Sequence, residues 1–292
     1  MTRRRVLLLL VAAPLLAAGW VIAGLPARYE VRALARSNPG KTSVMRQREE
    51  EAREAKRMPR TVQVWVPLSR VSRHLVHAVL AAEDQKFFGH EGVDWDAVEK
   101  AVEEDRRGLR FGRGGSTITQ QLAKNLFFTT NRSFVRKARE VVVARWLEED
   151  LGKRRILELY LNVIEWGDGL YGAQAAAQRY YGKPASALDA AEAAGLAAMI
   201  PNPRRINPRV NAARHARAQR RVLWLMRGAG YLGRDASGLG AEPPPPEDAG
   251  DDEDDAPPSP EAAPAEPPPT EPPPSAAPSE AAPADEPSPA GL

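Results

Sequence analysis

Apolar residues recur at intervals of three and four along the central part of the chain. One stripe consists of Leu75, Val76, Val79 and Leu80. Residues with this spacing lie on one face of an α-helix, so the stripe predicts a helix that packs on a core. A second stripe predicts another such helix and consists of Ile156, Leu157, Tyr160, Leu161 and Ile164.

Capping residues predict where further helices begin. Thr117 and Gln120 form a capping-box pattern, in which the threonine side chain accepts a backbone N–H of the first turn. The helix that follows would carry its apolar side at Ile118, Leu122 and Leu126. The other predicted helices run from Ser133 through Asp150, from near Ser186 and Asp189 to a stop before Pro201, and from Pro208 to near Gly228.

Strand signals are scarce. Thr61–Val66 alternates in polarity and is rich in β-branched residues, so it predicts one short strand, which Pro67 ends. This single candidate stands against at least six predicted helices. The sequence therefore predicts one mainly α domain over residues 61–235, preceded by a charge-dense connector over residues 28–60.

Residues 1–27 have the composition of a membrane anchor. Arg3, Arg4 and Arg5 precede an uncharged run of 20 residues, Val6–Leu25. A helix of that length spans a hydrocarbon core of roughly 30 Å, and basic residues before a span stay on the cytoplasmic side. The alternative is a cleaved signal peptide, whose apolar region is normally about 7 to 15 residues long. We expect a transmembrane anchor with a cytoplasmic tip and the body outside.

The end of the chain, residues 236–292, differs from the rest in composition. From Glu242 to Leu292 it holds 18 of the 27 prolines, 14 of the 38 acidic residues and no Lys or Arg. It has too little apolar surface to offset the entropy of ordering, so it is predicted to be disordered. The rest has 41 basic and 24 acidic residues, a net charge of +17 that suits an anionic lipid, nucleic acid or phosphorylated substrate.

Cysteine is absent from the chain, which excludes disulfides, a Cys nucleophile and Cys-ligated zinc. His74 and His77 are three residues apart on a predicted helix, but the sequence offers no third ligand for a zinc ion. The candidate chemistry therefore rests on carboxylates and cations.

Glu83 is the first candidate for acid–base chemistry. It lies four residues after Val79 and three after Leu80, so on a helix it shares the face of the apolar stripe. Partial burial would raise its pKa and make it a better base near neutral pH. The alternative is an exposed carboxylate at a fraying helix end that takes no part in chemistry.

A second carboxylate, Glu140, follows a run of cations. Two glycines, Gly114 and Gly115, lie before these cations in the sequence and would let backbone amides come close to a phosphate. The helix predicted to begin at Thr117 would direct the positive end of its dipole at the same phosphate. The alternatives are an ordinary helix pair between Arg136 and Glu140 and a solvated basic face. The cations fall within 16 positions and are Lys124, Arg132, Arg136, Lys137 and Arg139.

Three segments in this order resemble the peptidoglycan glycosyltransferases: Glu83–His90, Gly114–Asn125 and Arg136–Glu140. The resemblance is to the monofunctional, membrane-anchored biosynthetic members of that family. Lys153–Asn162 is similar to a fourth motif of the family, and Pro201–Pro208 resembles a fifth more weakly. The likeness extends over roughly half the chain.

The resemblance implies roles for individual residues. Glu83 would be the general base that takes the proton from the 4-hydroxyl of the acceptor sugar of lipid II. Glu140 would orient the pyrophosphate leaving group, bind a metal ion or position nearby cations. Glu158 and Asn162 would hold the wall of the site by hydrogen bonds. The residues implied to bind substrate are Asp84, Ser116, Gln121, Lys124, Arg132 and Arg139.

The resemblance also implies a fold and a reaction. The fold would be lysozyme-like and mainly α, with a larger head and a smaller membrane-facing jaw after the transmembrane helix. The enzyme would join lipid II to a lipid-linked glycan, with inversion, and release polyprenyl pyrophosphate. The β-1,4-linked strand would enter the bacterial cell wall. No cofactor is expected to be required, and a Mg or Mn ion at the pyrophosphate is a candidate.

The implied location is the bacterial inner membrane, crossed once, with the N-terminus cytoplasmic and the catalytic domain periplasmic. The implied partners are lipid II, the lipid-linked glycan and the membrane, with other cell-wall synthesis proteins as further candidates and no nucleic acid. Two alternatives remain. A lysozyme-like glycan-cleaving enzyme has no use for Lys124 and Arg132, and an anchored scaffold acting through the Pro-rich tail leaves the segments around Glu83 and Gly114 unexplained.

Overall fold

The computed structural model describes residues 12, 15–16, 18–106, 115–131, 133–233 and 238. Four predictions lie wholly or partly outside these ranges: the role of Arg132, the glycine pair at Gly114, the disordered tail of residues 236–292, and the transmembrane helix within Val6–Leu25. Residues 18–23 are helical. Within the described ranges, the structure contains no helix that is both long and apolar enough to cross a membrane.

Helices dominate the described part of the chain, which confirms the predicted mainly α class. They are α1 (Arg28–Ala33), α2 (Ser43–Glu54), α3 (Arg73–Glu83), α4 (Trp95–Arg106), α5 (Ile118–Phe127), α6 (Phe134–Asp150), α7 (Lys153–Val163), α8 (Ala173–Tyr181), α9 (Ala190–Ala197) and α10 (Ala212–Gly228).

The capping box at the start of α5 is confirmed. Thr117 Oγ1 accepts the N–H of Gln120 at 3.2 Å, and Gln120 Oε1 accepts the N–H of Thr117 at 3.3 Å. Both residues are buried, so the box also satisfies polar groups that water does not reach. Helix α6 likewise begins directly after Ser133 and ends at Asp150, as predicted.

Two predicted helix starts are wrong. Asp189, and not Ser186, caps α9, since its carboxylate accepts an N–H of the first turn at 2.9 Å. Helix α10 begins at Ala212 and not at Pro208, because the side chain of Asn211 accepts an N–H of the first turn at 3.0 Å. In both cases a side chain nearer the helix supplies the cap.

A small sheet lies beside the helices. Strand β1 (Val62–Gln63) pairs in parallel with β3 (Leu170–Tyr171), and β3 pairs antiparallel with β2 (Glu165–Gly167). The predicted strand is therefore shortened to two residues, and the β2–β3 hairpin is an addition. Gly169, in the hairpin turn, has φ +65, and a Cβ there would lie 2.4 Å from the carbonyl oxygen of Arg60.

Helix packing brings the end of α3 to the start of α5. Helix α3 packs against α9 and α10, while α5 packs against α6 and α7. The second apolar stripe forms the buried face of α7, and its Tyr160 is fully buried. The core thus fixes the positions of α3, which ends at Glu83, and of α5, which carries Gln121.

Helix α7 also holds the segment that leads into α3. Asn162 Oδ1 accepts the N–H of Val66 at 3.0 Å, and Asn162 Nδ2 donates to the carbonyl of Val66 at 2.9 Å. Glu158 accepts the N–H of Leu68 at 2.8 Å. These bonds fix the segment before α3, and the part in the wall of the site that the resemblance implied stays a prediction.

The predicted connector, residues 28–60, packs onto the same body. Arg28 lies 2.8 Å from a carboxylate oxygen of Glu149 and 3.0 Å from one of Asp150, and its guanidinium lies 5.0 Å from the centre of the Trp146 ring. Helix α1 contacts α6, and α2 contacts α5. The segment therefore supports the two helices beside the candidate site.

Candidate active site

Glu83 is the last residue of α3 and is half-buried. Gln121 Nε2, on α5, donates a hydrogen bond to Glu83 Oε2 at 2.6 Å. Burial raises the pKa of Glu83, whereas the hydrogen bond from Gln121 and the charge of Lys124 act to lower it. The net rise brings the carboxylate nearer to the range in which a base works at neutral pH.

Asp84 joins this helix end to the start of α5. Its Oδ2 accepts the N–H of Ile118, the first residue of α5, at 3.0 Å. His90 Nε2 lies 3.0 Å from both carboxylate oxygens of Asp84. Because His90 Nδ1 accepts the N–H of Gly92 at 3.2 Å, the proton of the neutral ring belongs on Nε2 and is donated to Asp84. Asp84 is buried and holds both segments in register.

A buried glutamate and two cations lie on α6. Arg136 is 2.8 Å from Glu140 Oε1, and Lys137 is 3.5 Å from Glu140 Oε2. Lys137 Nζ also donates to Ser116 Oγ at 2.8 Å and to Gln120 Oε1 at 3.1 Å. Lys137 thus connects the second carboxylate to the segment before α5.

Lys124 lies in the field of both glutamates. It is half-buried on α5, three residues after Gln121 and so about one helical turn further along. Burial lowers its pKa, the charges of Glu140 and Glu83 raise it, and those of the neighbouring cations on α6 lower it. A partly desolvated ammonium of this kind interacts strongly with an anion that displaces its remaining water.

A cleft of about 300 Å³ opens beside Glu83. One wall comes from α10, which contributes Arg221 and Leu225. The cleft combines a raised-pKa carboxylate, backbone at the start of a helix and a polar rim, which suits binding and acid–base chemistry on a polar substrate. Other lining residues that bear on this chemistry are Glu83, Asp84, Gly115, Ser116 and Thr117.

Comparison with known proteins identifies the family. The family model described as "Transglycosylase" matches residues 49–227, which is more than half of the chain and contains the whole described site. The chain belongs to the transglycosylase family.

Individual relatives agree with this assignment. A protein of Azoarcus sp. (strain BH72) is 52% identical over 191 residues, which cover 64% of this chain and 82% of the relative. A protein of Herminiimonas arsenicoxydans is 52% identical over 167 residues, covering 57% and 72%. A protein of Bordetella pertussis (strain Tohama I / ATCC BAA-589 / NCTC 13251) is 51% identical over 171 residues, covering 57% and 71%. All three are biosynthetic peptidoglycan transglycosylases.

The fold of this transglycosylase brings several of the selected residues together. Glu83 and Gln121 are hydrogen-bonded, and Lys124 lies within the electrostatic reach of Glu83 and Glu140. Ser116 is linked to Glu140 through Lys137. Arg132 lies outside the residues that the structure describes.

Arg139 faces a different part of the transglycosylase. Its NH2 nitrogen donates to the carbonyl of Trp20 at 2.6 Å, and its Nε donates to the carbonyl of Val21 at 3.1 Å. These carbonyls belong to the C-terminal part of the helical residues 18–23, where a cation is favoured. The predicted contact of Arg139 with substrate stays a prediction, and the structure gives the side chain a second use.

Sequence reasoning did not select two residues that the structure connects to the site. Lys137 belongs to the basic run. Nothing in the sequence predicts its contact with Ser116, because the two residues lie on different elements. Tyr160 belongs to the second apolar stripe, but its hydroxyl donates to Gln121 Oε1 at 2.9 Å. A buried tyrosine needs a hydrogen-bond partner, and that requirement is the one signal that would have pointed to it.

The candidate Mg or Mn ion at the pyrophosphate stays a prediction. Within the described ranges, no group of three or more His, Asp or Glu side chains is arranged to hold an ion. Glu140, the carboxylate that the resemblance connects with a metal, has Arg136 and Lys137 beside its two oxygens. Cations in these positions occupy the places that a metal ion would take, so we derive no step through one.

Proposed function

We propose that this transglycosylase polymerises lipid II, with Glu83 as the general base and a cation group on α5 and α6 receiving the pyrophosphate. Family membership makes the chain a glycosyltransferase of peptidoglycan biosynthesis, which builds glycan strands for the cell wall. The observation that carries the proposed mechanism is the pairing of Glu83 with Gln121 at 2.6 Å beside the cleft.

Glu83 would act on the acceptor. Its partial burial favours proton uptake, and the bond from Gln121 leaves the other carboxylate oxygen, Oε1, for the acceptor sugar. As the 4-hydroxyl oxygen of lipid II attacks C1 of the donor sugar, its proton passes to Glu83. A new C1–O4 bond forms while the bond from C1 to the pyrophosphate breaks, and attack from the opposite face inverts the configuration at C1.

The cation group, defined as Lys124, Arg136 and Lys137, would act on the donor. The electron pair of the breaking bond passes to polyprenyl pyrophosphate, so negative charge grows on the leaving group. Fixed cations and the N-terminal end of α5 would stabilise that charge. Glu140 would hold Arg136 and Lys137 in place, because it lies within 3.5 Å of both.

The finer architecture is also proposed: a lysozyme-like head and jaw, with the jaw at the membrane surface. Support comes from apolar side chains that stay exposed, such as Phe134 at 92% and Trp95 at 69%. Phe128, just after α5, is buried in the core and gives no such support. The arginines and the run Val6–Leu25 support a single crossing of the inner membrane with a periplasmic body.

One assay tests the proposed reaction. The purified full chain is incubated in detergent with lipid II labelled on its sugar, and the products are separated by size. Polymer that muramidase digests supports the proposal. Cleavage of preformed strands without polymer would instead indicate a lysozyme-like hydrolase, and no change in lipid II would indicate a non-catalytic anchored protein.

A further inference from the structure

A chain of two hydrogen bonds runs from the core to Glu83. The hydroxyl of Tyr160, on α7, donates to Gln121 Oε1 at 2.9 Å. The amide nitrogen of the same Gln121 donates to Glu83 Oε2 at 2.6 Å. Tyr160 is fully buried, so its hydroxyl depends on this one side chain in the described structure.

The two ends of an amide are chemically different, and this makes the orientation of Gln121 decisive. In the observed orientation its NH2 faces Glu83 and stabilises the ionised carboxylate. In the flipped orientation its carbonyl would face Glu83 and would favour the protonated acid, which can donate. The position of Gln121 therefore determines which form of the base the site prefers.

Tyr160 distinguishes the two orientations. If Gln121 flipped, its NH2 could still donate to the tyrosine oxygen, but the hydroxyl hydrogen would lose its acceptor. A buried donor without an acceptor is costly, so the hydroxyl favours the observed orientation. Burial and the charges of Glu83 and Asp84 raise the pKa of Tyr160, so the hydroxyl stays protonated and remains a donor.

We propose that Tyr160 is a positioning residue for glycosyl transfer: its hydroxyl holds the Gln121 amide in the orientation that keeps Glu83 ionised and ready to accept a proton. The inference rests on the proposed role of Glu83 as the general base. Tyr160 touches neither substrate nor the reacting atoms, and it acts through Gln121.

Other ionisable groups around Glu83 set the background for this effect. Asp84 raises the pKa of Glu83 and Lys124 lowers it. Arg221 of α10 lines the same cleft, and Glu140 of α6 acts on Lys124. Helix α9 also packs on α3, and its carboxylate Glu192 is paired with Lys183. Loss of the Tyr160 hydroxyl leaves all of these charges unchanged.

The test is the pH profile of polymerisation by Tyr160→Phe. On the acid side of the profile, we expect the kcat of the variant to be about 3- to 10-fold lower than that of the wild type, which corresponds to one lost hydrogen bond. The acid limb should move to higher pH, and the rate should recover toward that of the wild type on the alkaline side. Tyr180→Phe is the matched control, because it also removes a tyrosine hydroxyl bond in a partly buried place, to the carbonyl of Trp166 at 3.0 Å.

A second variant keeps the inference testable if Tyr160→Phe does not fold. Gln121→Met removes the donor to Glu83 and should move the acid limb in the same direction. Where Tyr160→Phe folds, adding it to Gln121→Met should move the limb no further. A rate that falls equally at every pH, or a limb that matches that of Tyr180→Phe, would overturn the positioning role. If the wild type makes no polymer, the proposed function fails instead, so the two failures are distinguishable.

Discussion

Asp84 Oδ2 accepts the backbone N–H of Ile118 at 3.0 Å, which ties the end of the helix that carries Glu83 to the start of the helix that carries Gln121. The two helix ends come from segments more than thirty residues apart in the sequence. The distance in space between the two helix ends sets the distance between Glu83 and Gln121. The geometry of the candidate base therefore depends on the buried carboxylate of Asp84.

We expect Asp84→Ala to lower both stability and activity. The substitution leaves the N–H of Ile118 and the ring of His90 without their acceptor, and a buried unpaired donor costs about 1–3 kcal/mol. Asp84→Asn keeps an acceptor for Ile118 and should lose less. Thermal melting and polymerisation rates check this, with Asp189→Ala as a control that removes the cap of α9. An Asp84→Ala protein with unchanged melting temperature and no activity would indicate direct contact with substrate, as the resemblance implied.

Lys124→Ala should weaken both binding and turnover of the pyrophosphate-linked donor. The side chain is a partly desolvated cation between two glutamates, and its loss removes charge stabilisation that grows during the reaction. Arg132→Ala is expected to act in the same way, from the sequence alone. Charge reversal at Arg217 or Arg209, on and just before α10, is the control and should matter much less. Equal losses at all four positions would indicate diffuse electrostatics instead of a defined pyrophosphate pocket.

The sequence predicts the helical class, because that class depends on local patterns, whereas the candidate site residues follow from the resemblance to a family. The stripes around Leu75 and Tyr160 and the box at Thr117 each involve residues within a few positions of one another. The hairpin at Gly169 is not predicted, since its strands are two and three residues long and gain stability from pairing with β1. Strand propensity is a weak guide for such short elements.

Contacts between distant elements are also beyond local patterns. The link from Lys137 to Ser116 and the bond from Tyr160 to Gln121 join residues 21 and 39 positions apart. Arg139 illustrates the same limit, because the resemblance implies a contact with substrate, while the packed structure also brings the side chain to Trp20. Sequence spacing identified the chemical groups, and the tertiary fold determines which of them meet.

Removal of residues 1–27 should slow turnover of dilute lipid II in bilayers. Enzyme and substrate would no longer share one plane, so their effective concentration falls. Activity in detergent should remain, and part of the membrane affinity should persist through the basic body. The comparison is made by measuring rates in vesicles and in detergent micelles. Equal slowing in both media would mean that the segment supports the fold of the site and not its encounter with substrate.

Arg139 allows a finer version of this experiment. If the guanidinium acts through the carbonyls of Trp20 and Val21, Arg139→Ala should reduce the rate in the full chain and have no further effect once residues 1–27 are removed. If Arg139 binds substrate, the same substitution should reduce the rate by the same factor in both proteins.

The acidic, proline-rich end of the chain should be dispensable for chemistry in vitro. Its composition does not support a core, and the family match ends at residue 227, before it begins. A chain that ends at Ala241 should keep its helical circular dichroism signal and its lipid II activity in detergent. Loss of in vitro activity on this truncation would show that the tail contributes to the site or to the stability of the domain.

Glu83→Gln has an expected effect on stability that serves as its folding control. Burial raises the pKa of Glu83 in the folded chain above its unfolded value, so the folded state binds more protons and is destabilised as pH rises through that interval. Glutamine does not ionise, so the Glu83→Gln protein lacks this loss of stability with rising pH. The melting temperature of the variant, relative to that of the wild type, should therefore increase across the interval and stay constant above it.

Polymerisation by this same variant tests the account most directly. Purified wild-type and Glu83→Gln proteins are compared on labelled lipid II in detergent at neutral pH, after circular dichroism has shown the same helical content. Loss of a general base lowers rates by about 10²- to 10⁴-fold, so we expect polymer from the wild type and almost none from the variant. Near-normal polymer from a folded Glu83→Gln protein would contradict the assignment of Glu83 as the base.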